Sequence, residues 1–304
     1  MWIDIRGMLR PPASKADGGA GLNLIYVHGG VSGRERDDLP SLEGCRRAGL
    51  EAAGALDAVE ASVRSLEDDP ALNAGLGAVL NRRGKIELDA GLADGATGRF
   101  AGVAGVDVRH PISLARRVLE DTPHVLLIGE AALEVGAGLE RLEGSTAEQH
   151  ERWARAKAGG ELALDRYGAS EHVDTVGAVV LDAAGRLAAG SSTGGVFGQM
   201  PGRVGDSPIF GAGVYASAQV AVVGTGVGEL FLQTLACFRA GALVEDGLDP
   251  QSACEAVVGY LGEVDPLEAG VLAIDGRGRA GAAFRGGSWA VEGPDGPLIP
   301  VRLT

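Results

Sequence analysis

The sequence predicts an α+β fold in which antiparallel sheets carry helices on their outer faces. Two observations support this fold class: strand-like and helix-like segments occur in separate runs, and adjacent strands are joined by short turns. A doubly wound parallel sheet is not expected, because it requires strands and helices to alternate regularly. With 304 residues, of which 45% are hydrophobic, the chain is long enough to bury a sizeable core.

The first half of the chain contains short strands and amphipathic helices. Residues 22–30 predict an apolar strand that runs into a glycine turn. Apolar positions recur every three to four residues over 41–66, which predicts one amphipathic helix. Residues 71–80 are too rich in glycine for a regular element and predict a structured loop. The remaining segments are two strands over 85–108, a helix over 110–121 with proline in its first turn, and a strand followed by a helix over 124–142.

A change in composition marks the middle of the chain. Residues 144–172 are polar, charged and interrupted by glycine and serine, so we predict a polar linker that ends at Asp174. We expect a flexible leader over 1–21 and a single domain over 22–304. Beyond the linker the pattern predicts strands over 175–182, 186–193, 208–217 and 219–226, helices over 228–247 and 249–264, and a closing hairpin over 270–286.

Composition excludes several classes of function. The formal net charge of −14 argues against nucleic-acid binding and against a polybasic membrane surface. No apolar run approaches the roughly 18–20 residues of a membrane span, and the leader lacks the apolar core of a signal peptide. We therefore expect a cytoplasmic protein. Cys45, Cys237 and Cys254 lack zinc-ligand spacing and are expected to be buried free thiols.

The common catalytic motifs are missing from the sequence. None of the five histidines lies in HExxH, and GxSxG is absent, so a Ser–His–Asp site is unsupported. The segment GTGVGE, residues 224–229, has Glu229 where a dinucleotide-binding loop requires glycine. A glycine-rich turn that opens a helix still presents free N–H groups to an anion or oxyanion. His28, before two glycines, is expected to cap a turn rather than to bind a metal.

One glycine-rich loop carries a candidate binding pair. Arg203 and Asp206 lie three residues apart in PGRVGDSP. A guanidinium can pair with an α-carboxylate while a carboxylate pairs with an α-ammonium, so the two residues suit a small zwitterion. The residues alone leave open the alternative that both only solvate the loop.

The same region resembles the plant-type asparaginase/isoaspartyl peptidase family of Thr-type N-terminal nucleophile hydrolases. The blocks that carry the resemblance are TVGAV at 175–179, STGG at 192–195, GRVGDSP at 202–208 and TGVGE at 225–229. Further blocks occur upstream in the family's order: HGG at 28–30, LNAGLGAVL at 72–80, ELDAGLADG at 87–95 and PHVLLIGEAA at 123–132. The resemblance spans roughly residues 22–290 and implies a four-layer αββα sandwich.

The resemblance implies a catalytic site built on threonine. The precursor would cleave itself between Asp174 and Thr175 into 1–174 and 175–304. The freed α-amino group, with a reference pKa of about 8, can deprotonate the Thr175 hydroxyl without any histidine. Thr193 resembles the threonine that hydrogen-bonds the nucleophile.

Further roles are implied for the surrounding residues. Thr225 and the Gly226 N–H resemble the oxyanion hole. Arg203 and Asp206 resemble the clamp on the substrate's charged α-groups, assisted by the Gly228 carbonyl. Asn73 resembles a substrate-binding residue beside the nucleophile. The backbone of 66–75 resembles a sodium-binding loop, with carbonyl ligands from Leu66, Glu67, Leu72 and Ala74. No cofactor is implied for catalysis.

The implied activity is hydrolysis of L-asparagine and β-aspartyl (isoaspartyl) dipeptides through a β-aspartyl-enzyme intermediate, by a homodimer of processed α/β units. Two alternatives remain open. One is a glycosylasparaginase-like amidase, whose relatives usually carry a secretion signal. The other is a non-catalytic, unprocessed homologue that binds small amino acids.

Overall fold

Two β-sheets stacked between two layers of helices make up the protein. The computed structural model of the chain describes residues 23–32, 39–160, 162, 172–173 and 175–304. The predicted leader and Asp174 therefore lie outside the described residues. In these ranges the α+β fold class is confirmed, and the four layers have the order αββα. The sheets are antiparallel as predicted, except for one parallel strand pair at an edge of each sheet.

The strands follow one another in this order: β1 (Leu24–Ser32), β2 (Leu88–Asp94), β3 (Arg99–Val106), β4 (Leu126–Ile128), β5 (His172–Val173), β6 (Val176–Leu181), β7 (Leu187–Thr193), β8 (Val214–Ala216), β9 (Val220–Gly226), β10 (Ala269–Asp275), β11 (Ala280–Arg285), β12 (Ser288–Gly293), β13 (Gly296–Pro297) and β14 (Val301–Arg302). Over the described ranges, the larger sheet has the order β13-β12-β1-β6-β7-β2-β3-β4, with β5 paired to β1. The smaller sheet has the order β14-β11-β10-β9-β8.

The helices are α1 (Glu43–Leu50), α2 (Ala55–Glu67), α3 (Pro111–Asp121), α4 (Gly129–Val135), α5 (Ala147–Gly159), α6 (Gly228–Thr234), α7 (Ala236–Glu245) and α8 (Pro250–Val264), with a 3₁₀ turn at Gly75–Gly77. Helices α2 and α3 cover the larger sheet, and α7 and α8 cover the smaller one. A third apolar core, which includes Val179, Val223 and Leu272, joins the inner faces of the two sheets. None of the helices in the described ranges is long and apolar enough to cross a membrane.

The single helix predicted over 41–66 is wrong: α1 and α2 are separate. Gly54 is extended at the start of α2, and Ala55 N–H donates to Asp182 of the β6–β7 hairpin at 3.1 Å. The Arg186 guanidinium also lies close to Gly54, since a Cβ there would be 2.9 Å from its Nη2. The break therefore depends on a cap from a distant part of the chain.

The helix predicted over 228–247 is also divided. Leu235 adopts a left-handed conformation, φ +52°, between α6 and α7. Leucine there has a steric cost, since its Cβ crowds the backbone at positive φ. The sequence has no glycine or proline at this point, so its pattern gave no reason to expect a break.

The predicted polar linker contains α5, which corrects the expectation of an irregular segment. The Thr146 side chain caps this helix by accepting the Gln149 N–H, and Glu148 lies in its first turn. Only Ala156 of this helix is buried. Its surface position explains why the composition resembles that of a linker.

Two strand predictions need correction at their ends. β1 continues through the predicted glycine turn to Ser32, so His28 lies within a strand and does not cap a turn. The predicted strand over 208–217 is reduced to β8. The closing hairpin is confirmed as β10 and β11, and β12 then returns to pair with β1 in the other sheet. The three cysteines are buried and free, as predicted.

Candidate active site

Sheet register brings two of the predicted threonines together. Thr175 directly precedes β6, and Val176 pairs with Ser192 of β7, which places Thr175 opposite Thr193. The Thr175 hydroxyl donates to Thr193 Oγ1 at 3.3 Å, and both residues are buried. Thr193 Oγ1 also accepts the Gly195 N–H at 3.1 Å. The Thr175 oxygen is thus held by a side chain whose own position is fixed by backbone.

Thr225 reaches this region from the smaller sheet. Its Oγ1 accepts the Val31 N–H at 3.4 Å, and Val31 pairs with Val173, two residues before Thr175. Because the oxygen accepts that bond, the hydroxyl hydrogen is left to donate elsewhere. Gly226 follows with φ +139°, and a Cβ there would lie 2.3 Å from the Glu268 carbonyl oxygen. Only glycine fits this strand end.

Asn73 lies behind the loop that follows Thr193. Its amide donates to the Gly195 carbonyl at 2.8 Å, its Oδ1 accepts the Val79 N–H at 2.9 Å, and its own carbonyl accepts the Gly194 N–H at 2.8 Å. These bonds fix the positions of Gly194 and Gly195, which follow Thr193. Its role in binding substrate remains a prediction.

Arg203, Asp206 and Gly228 lie against one another. A Cβ on Gly228 would lie 2.7 Å from Arg203 Nη2 and 2.8 Å from Asp206 Oδ1. The Nε and Nη2 of Arg203 donate to the two carboxylate oxygens of Glu229 at 3.0 and 2.9 Å. This edge of the guanidinium is therefore not available to a substrate, which leaves the Nη1–Nη2 edge. Asp206 is buried, and its Oδ2 has no hydrogen-bond partner among the described residues.

The charges around Arg203 are unbalanced. Burial alone would lower the pKa of Arg203. Its bonds to Glu229 and the charges of Asp206 and Asp89 outweigh burial and raise the pKa above its usual value, so the guanidinium stays charged. Burial raises the pKa of Asp206 to about 6, against the favourable charge of Arg203. Burial likewise raises the pKa of Asp89 to about 6. Three carboxylates surround one guanidinium, so a ligand ammonium group is electrostatically favoured here.

Sequence reasoning missed Glu229 and Asp89 as parts of this site. Both residues lie in blocks that carry the family resemblance, TGVGE and ELDAGLADG, but the sequence assigns neither of them a role. Their roles depend on contacts with Arg203 and Gly205, residues far away in the sequence. No short motif records such contacts.

His28 is buried between the sheets rather than placed for metal binding. Burial lowers its pKa to about 3, so the ring is neutral. Its ring meets Trp289 edge-on at 5.5 Å between centroids, and neither ring nitrogen has a partner among the described residues. Within those residues, no group of three or more His, Cys, Asp or Glu side chains could hold a metal ion.

The loop predicted to bind sodium would use carbonyl oxygens instead. A Cβ on Gly75 would lie 2.3 Å from the Glu67 carbonyl oxygen, and one on Gly77 would lie 2.1 Å from that of Leu72. The two glycines thus let the backbone turn closely around these oxygens. Neutral oxygen donors of this kind suit a hard cation, so the residues present fit a sodium ion.

Comparisons with known proteins identify the family of this chain. A family model described as asparaginase matches residues 31–292. An isoaspartyl peptidase from Salmonella typhimurium is 46% identical over 244 residues, which are 76% of this chain and 77% of that protein. An isoaspartyl peptidase from Escherichia coli is 40% identical over 291 residues, covering 87% and 90% of the two chains. A plant-type L-asparaginase from Thermococcus kodakarensis is 38% identical over 289 residues, covering 85% and 92%.

Proposed function

The chain belongs to the asparaginase family, and we propose that it hydrolyses L-asparagine and β-aspartyl (isoaspartyl) dipeptides with Thr175 as nucleophile. Relatives named isoaspartyl peptidase and plant-type L-asparaginase support both substrate classes, which share an aspartyl β-amide. The observation that carries the proposal is the buried Thr175–Thr193 hydrogen bond, 3.3 Å long, at the first residue after the proposed cleavage point.

Activation of the nucleophile requires a free N-terminus. Cleavage of the 174–175 peptide bond releases the α-amino group of Thr175, which accepts the proton of its own hydroxyl. A reference pKa of about 8 makes this amine a base near neutral pH. The hydroxyl of Thr193 holds Thr175 Oγ1 in line for attack.

The reaction then proceeds in two steps. Thr175 Oγ1 attacks the β-carbonyl carbon, and the resulting oxyanion accepts hydrogen bonds from the Thr225 hydroxyl and the Gly226 N–H. Collapse breaks the C–N bond, the proton taken from Thr175 passes to the leaving nitrogen, and ammonia or an amino acid departs. Water next hydrolyses the β-aspartyl ester, which releases L-aspartate and restores the Thr175 hydroxyl.

The α-groups of the substrate are bound by opposite charges. The buried Asp206 carboxylate is suited to the α-ammonium, and its Oδ1 lies beside Gly228, whose carbonyl would assist. Its Oδ2 has no hydrogen-bond partner among the described residues. The Nη1–Nη2 edge of Arg203 is suited to the α-carboxylate. Holding both groups fixes the scissile carbonyl relative to Thr175.

We propose further that the loop around Gly75 binds sodium through the carbonyls of Leu66, Glu67, Leu72 and Ala74, a structural role with no part in the chemistry. A homodimer of processed units and a cytoplasmic location complete the proposal. Both follow from the family resemblance and the sequence composition.

A substrate panel tests the proposed function. Purified protein is assayed with L-asparagine, several β-aspartyl dipeptides and a glycosylated asparagine, with Thr175→Ala as the matched control. Release of L-aspartate from the first two classes by wild type alone is expected. Turnover of only the glycosylated substrate would favour the glycosylasparaginase alternative. A single unprocessed chain that turns over none of them would favour the non-catalytic alternative.

A further inference from the structure

Asp89 is a buried carboxylate that the proposed reaction does not use. It lies on β2, is 1% exposed, and pairs with Thr193 of the neighbouring strand. Since directly paired residues share a face, Asp89 continues the row formed by Thr175 and Thr193 across three strands of the larger sheet. A carboxylate buried in this row must be compensated by hydrogen bonds or by an opposite charge.

Both oxygens of Asp89 accept backbone hydrogen bonds from separate parts of the chain. Oδ1 accepts the Gly105 N–H at 2.9 Å, at an irregularity in the β2–β3 pairing where Gly105 has φ +63°. Oδ2 accepts the Gly205 N–H at 2.8 Å. The carboxylate therefore links a bulge in β3 to the loop that carries Arg203 and Asp206.

Gly205 lies between the two binding residues. A Cβ on Gly205 would lie 3.0 Å from Arg203 Nη1 and 3.6 Å from Asp89 Oδ2, so the guanidinium and the carboxylate flank the same peptide. On the other side of Arg203, the Gly202 N–H donates to Glu87 at 2.9 Å. Two acidic residues two positions apart thus hold the backbone on both sides of Arg203.

We infer that Asp89 is a positioning residue, which fixes the Arg203–Asp206 loop on the larger sheet and so sets the spacing of the two groups that bind the substrate's α-carboxylate and α-ammonium. This inference rests on the proposed function. The carboxylate is required rather than an amide, because both of its oxygens face N–H donors. In asparagine one of these positions would hold an NH₂ group, which would face a donor with a donor.

The test compares Asp89→Asn and Asp89→Glu with Asp275→Asn. Asp275 is similarly buried and accepts the N–H groups of Arg277 and Arg279. It pairs with Val220, six residues and about 20 Å along β9 from Gly226. In asparagine an NH₂ group replaces Oδ2, which accepts the Arg279 guanidinium at 2.8 Å, so a donor again faces a donor, here away from the site.

Three quantities are measured for each protein: KM and kcat for L-asparagine, and the calorimetric Kd of L-aspartate. In Asp89→Asn we expect KM and Kd to rise together by about tenfold or more, with kcat changed far less. Asp89→Glu, which keeps both acceptors and the charge, should recover part of this loss. Asp275→Asn should leave KM and Kd within about twofold of wild type.

Three results would overturn the inference: unchanged KM and Kd in Asp89→Asn, a loss confined to kcat, or failure of both Asp89 variants to fold while Asp275→Asn folds. The last would assign Asp89 to stability alone. Wild type that binds L-aspartate but hydrolyses no substrate would contradict the proposed function and leave the comparison of Kd values valid. Wild type that does neither would contradict both.

Discussion

At the scale of single residues, the proposed site uses threonine side chains and backbone groups where many hydrolases use histidine. Thr175 is held by Thr193, which is held in turn by the Gly195 N–H. A hydrolase of this kind needs no histidine base, because the proposed base is the α-amino group of the nucleophile itself. His28, the histidine buried nearby, is neutral and packs edge-on against Trp289.

Thr225→Val tests the oxyanion assignment. Valine keeps the shape of threonine and removes the hydroxyl donor, so kcat should fall by about 10²–10³-fold, the usual effect of losing one oxyanion donor. The measurement is kcat for L-asparagine on variant protein whose mass shows both fragments. Turnover within about threefold of wild type would mean that the hydroxyl faces elsewhere.

Asp206 should make stability depend on pH. Burial raises its pKa to about 6 in the folded state, whereas an exposed aspartate has a pKa of 3.8. Between about pH 4 and 6 the folded state therefore retains a proton that the unfolded chain has lost. The stabilisation due to Asp206 is present at low pH and is lost as the pH rises through this range.

The measurement is the free energy of unfolding by denaturant at pH 4, 5 and 6, in a Thr175→Ala background with and without Asp206→Asn. As the pH rises, the free energy of unfolding of the protein that keeps Asp206 should fall relative to that of the protein with Asp206→Asn. The two-protein comparison removes the opposite contribution of His28, whose pKa is lowered by burial. A difference that is constant across the range would mean that Asp206 is ionised throughout.

At the scale of elements, most strands and helices were predictable, but their breaks were not. The 175–182 and 186–193 segments form β6 and β7 with the expected turn, and Asp249 caps α8. By contrast, α2 begins where Asp182 caps it from a distant hairpin, and α7 begins after a left-handed Leu235. Local pattern cannot record a cap or a strained residue that tertiary packing imposes.

The loop around Gly75, which is proposed to bind sodium, gives a test of cation binding at the scale of elements. Sodium chloride should raise the thermal midpoint relative to choline chloride at equal ionic strength, because a cation that binds only the folded state stabilises it. Gly75→Ala should lower the midpoint and abolish the sodium response, since its Cβ would meet the Glu67 carbonyl oxygen.

Gly98→Ala is the matched control for this loop. Gly98 also has positive φ, +67°, but its Cβ would meet nothing within 4 Å. That variant should lose some stability to backbone strain and keep the full response to sodium. Equal midpoints of wild type in the two salts would count against the cation site.

At the scale of the whole molecule, the site depends on both sheets and on both proposed fragments. In the larger sheet β1, from 1–174, lies between β12 and β6 of 175–304, and β2, from 1–174, pairs with β7 of 175–304, so strands of the two fragments are interleaved. Cleavage before Thr175 would therefore leave the two pieces paired by backbone hydrogen bonds. The same interleaving brings Thr193, Asp89 and Arg203 together.

The sequence supports the fold class through its pattern of elements, and the candidate site residues through short blocks that resemble a family. Segregated strands and helices indicate layers, and the blocks around Thr175, Thr193 and Thr225 carry the family resemblance. The supporting contacts of Glu229 and Asp89 could not be found, because each bonds a residue that only folding brings near.

The central claim is that Thr175 becomes an N-terminal nucleophile, and intact mass under denaturing conditions tests it most directly. Wild type should give two polypeptides with the masses of 1–174 and 175–304, and Thr175→Ala should give one full-length chain with no activity. A wild-type chain that stays whole while it hydrolyses L-asparagine would contradict the account, as would cleavage of Thr175→Ala at the same bond.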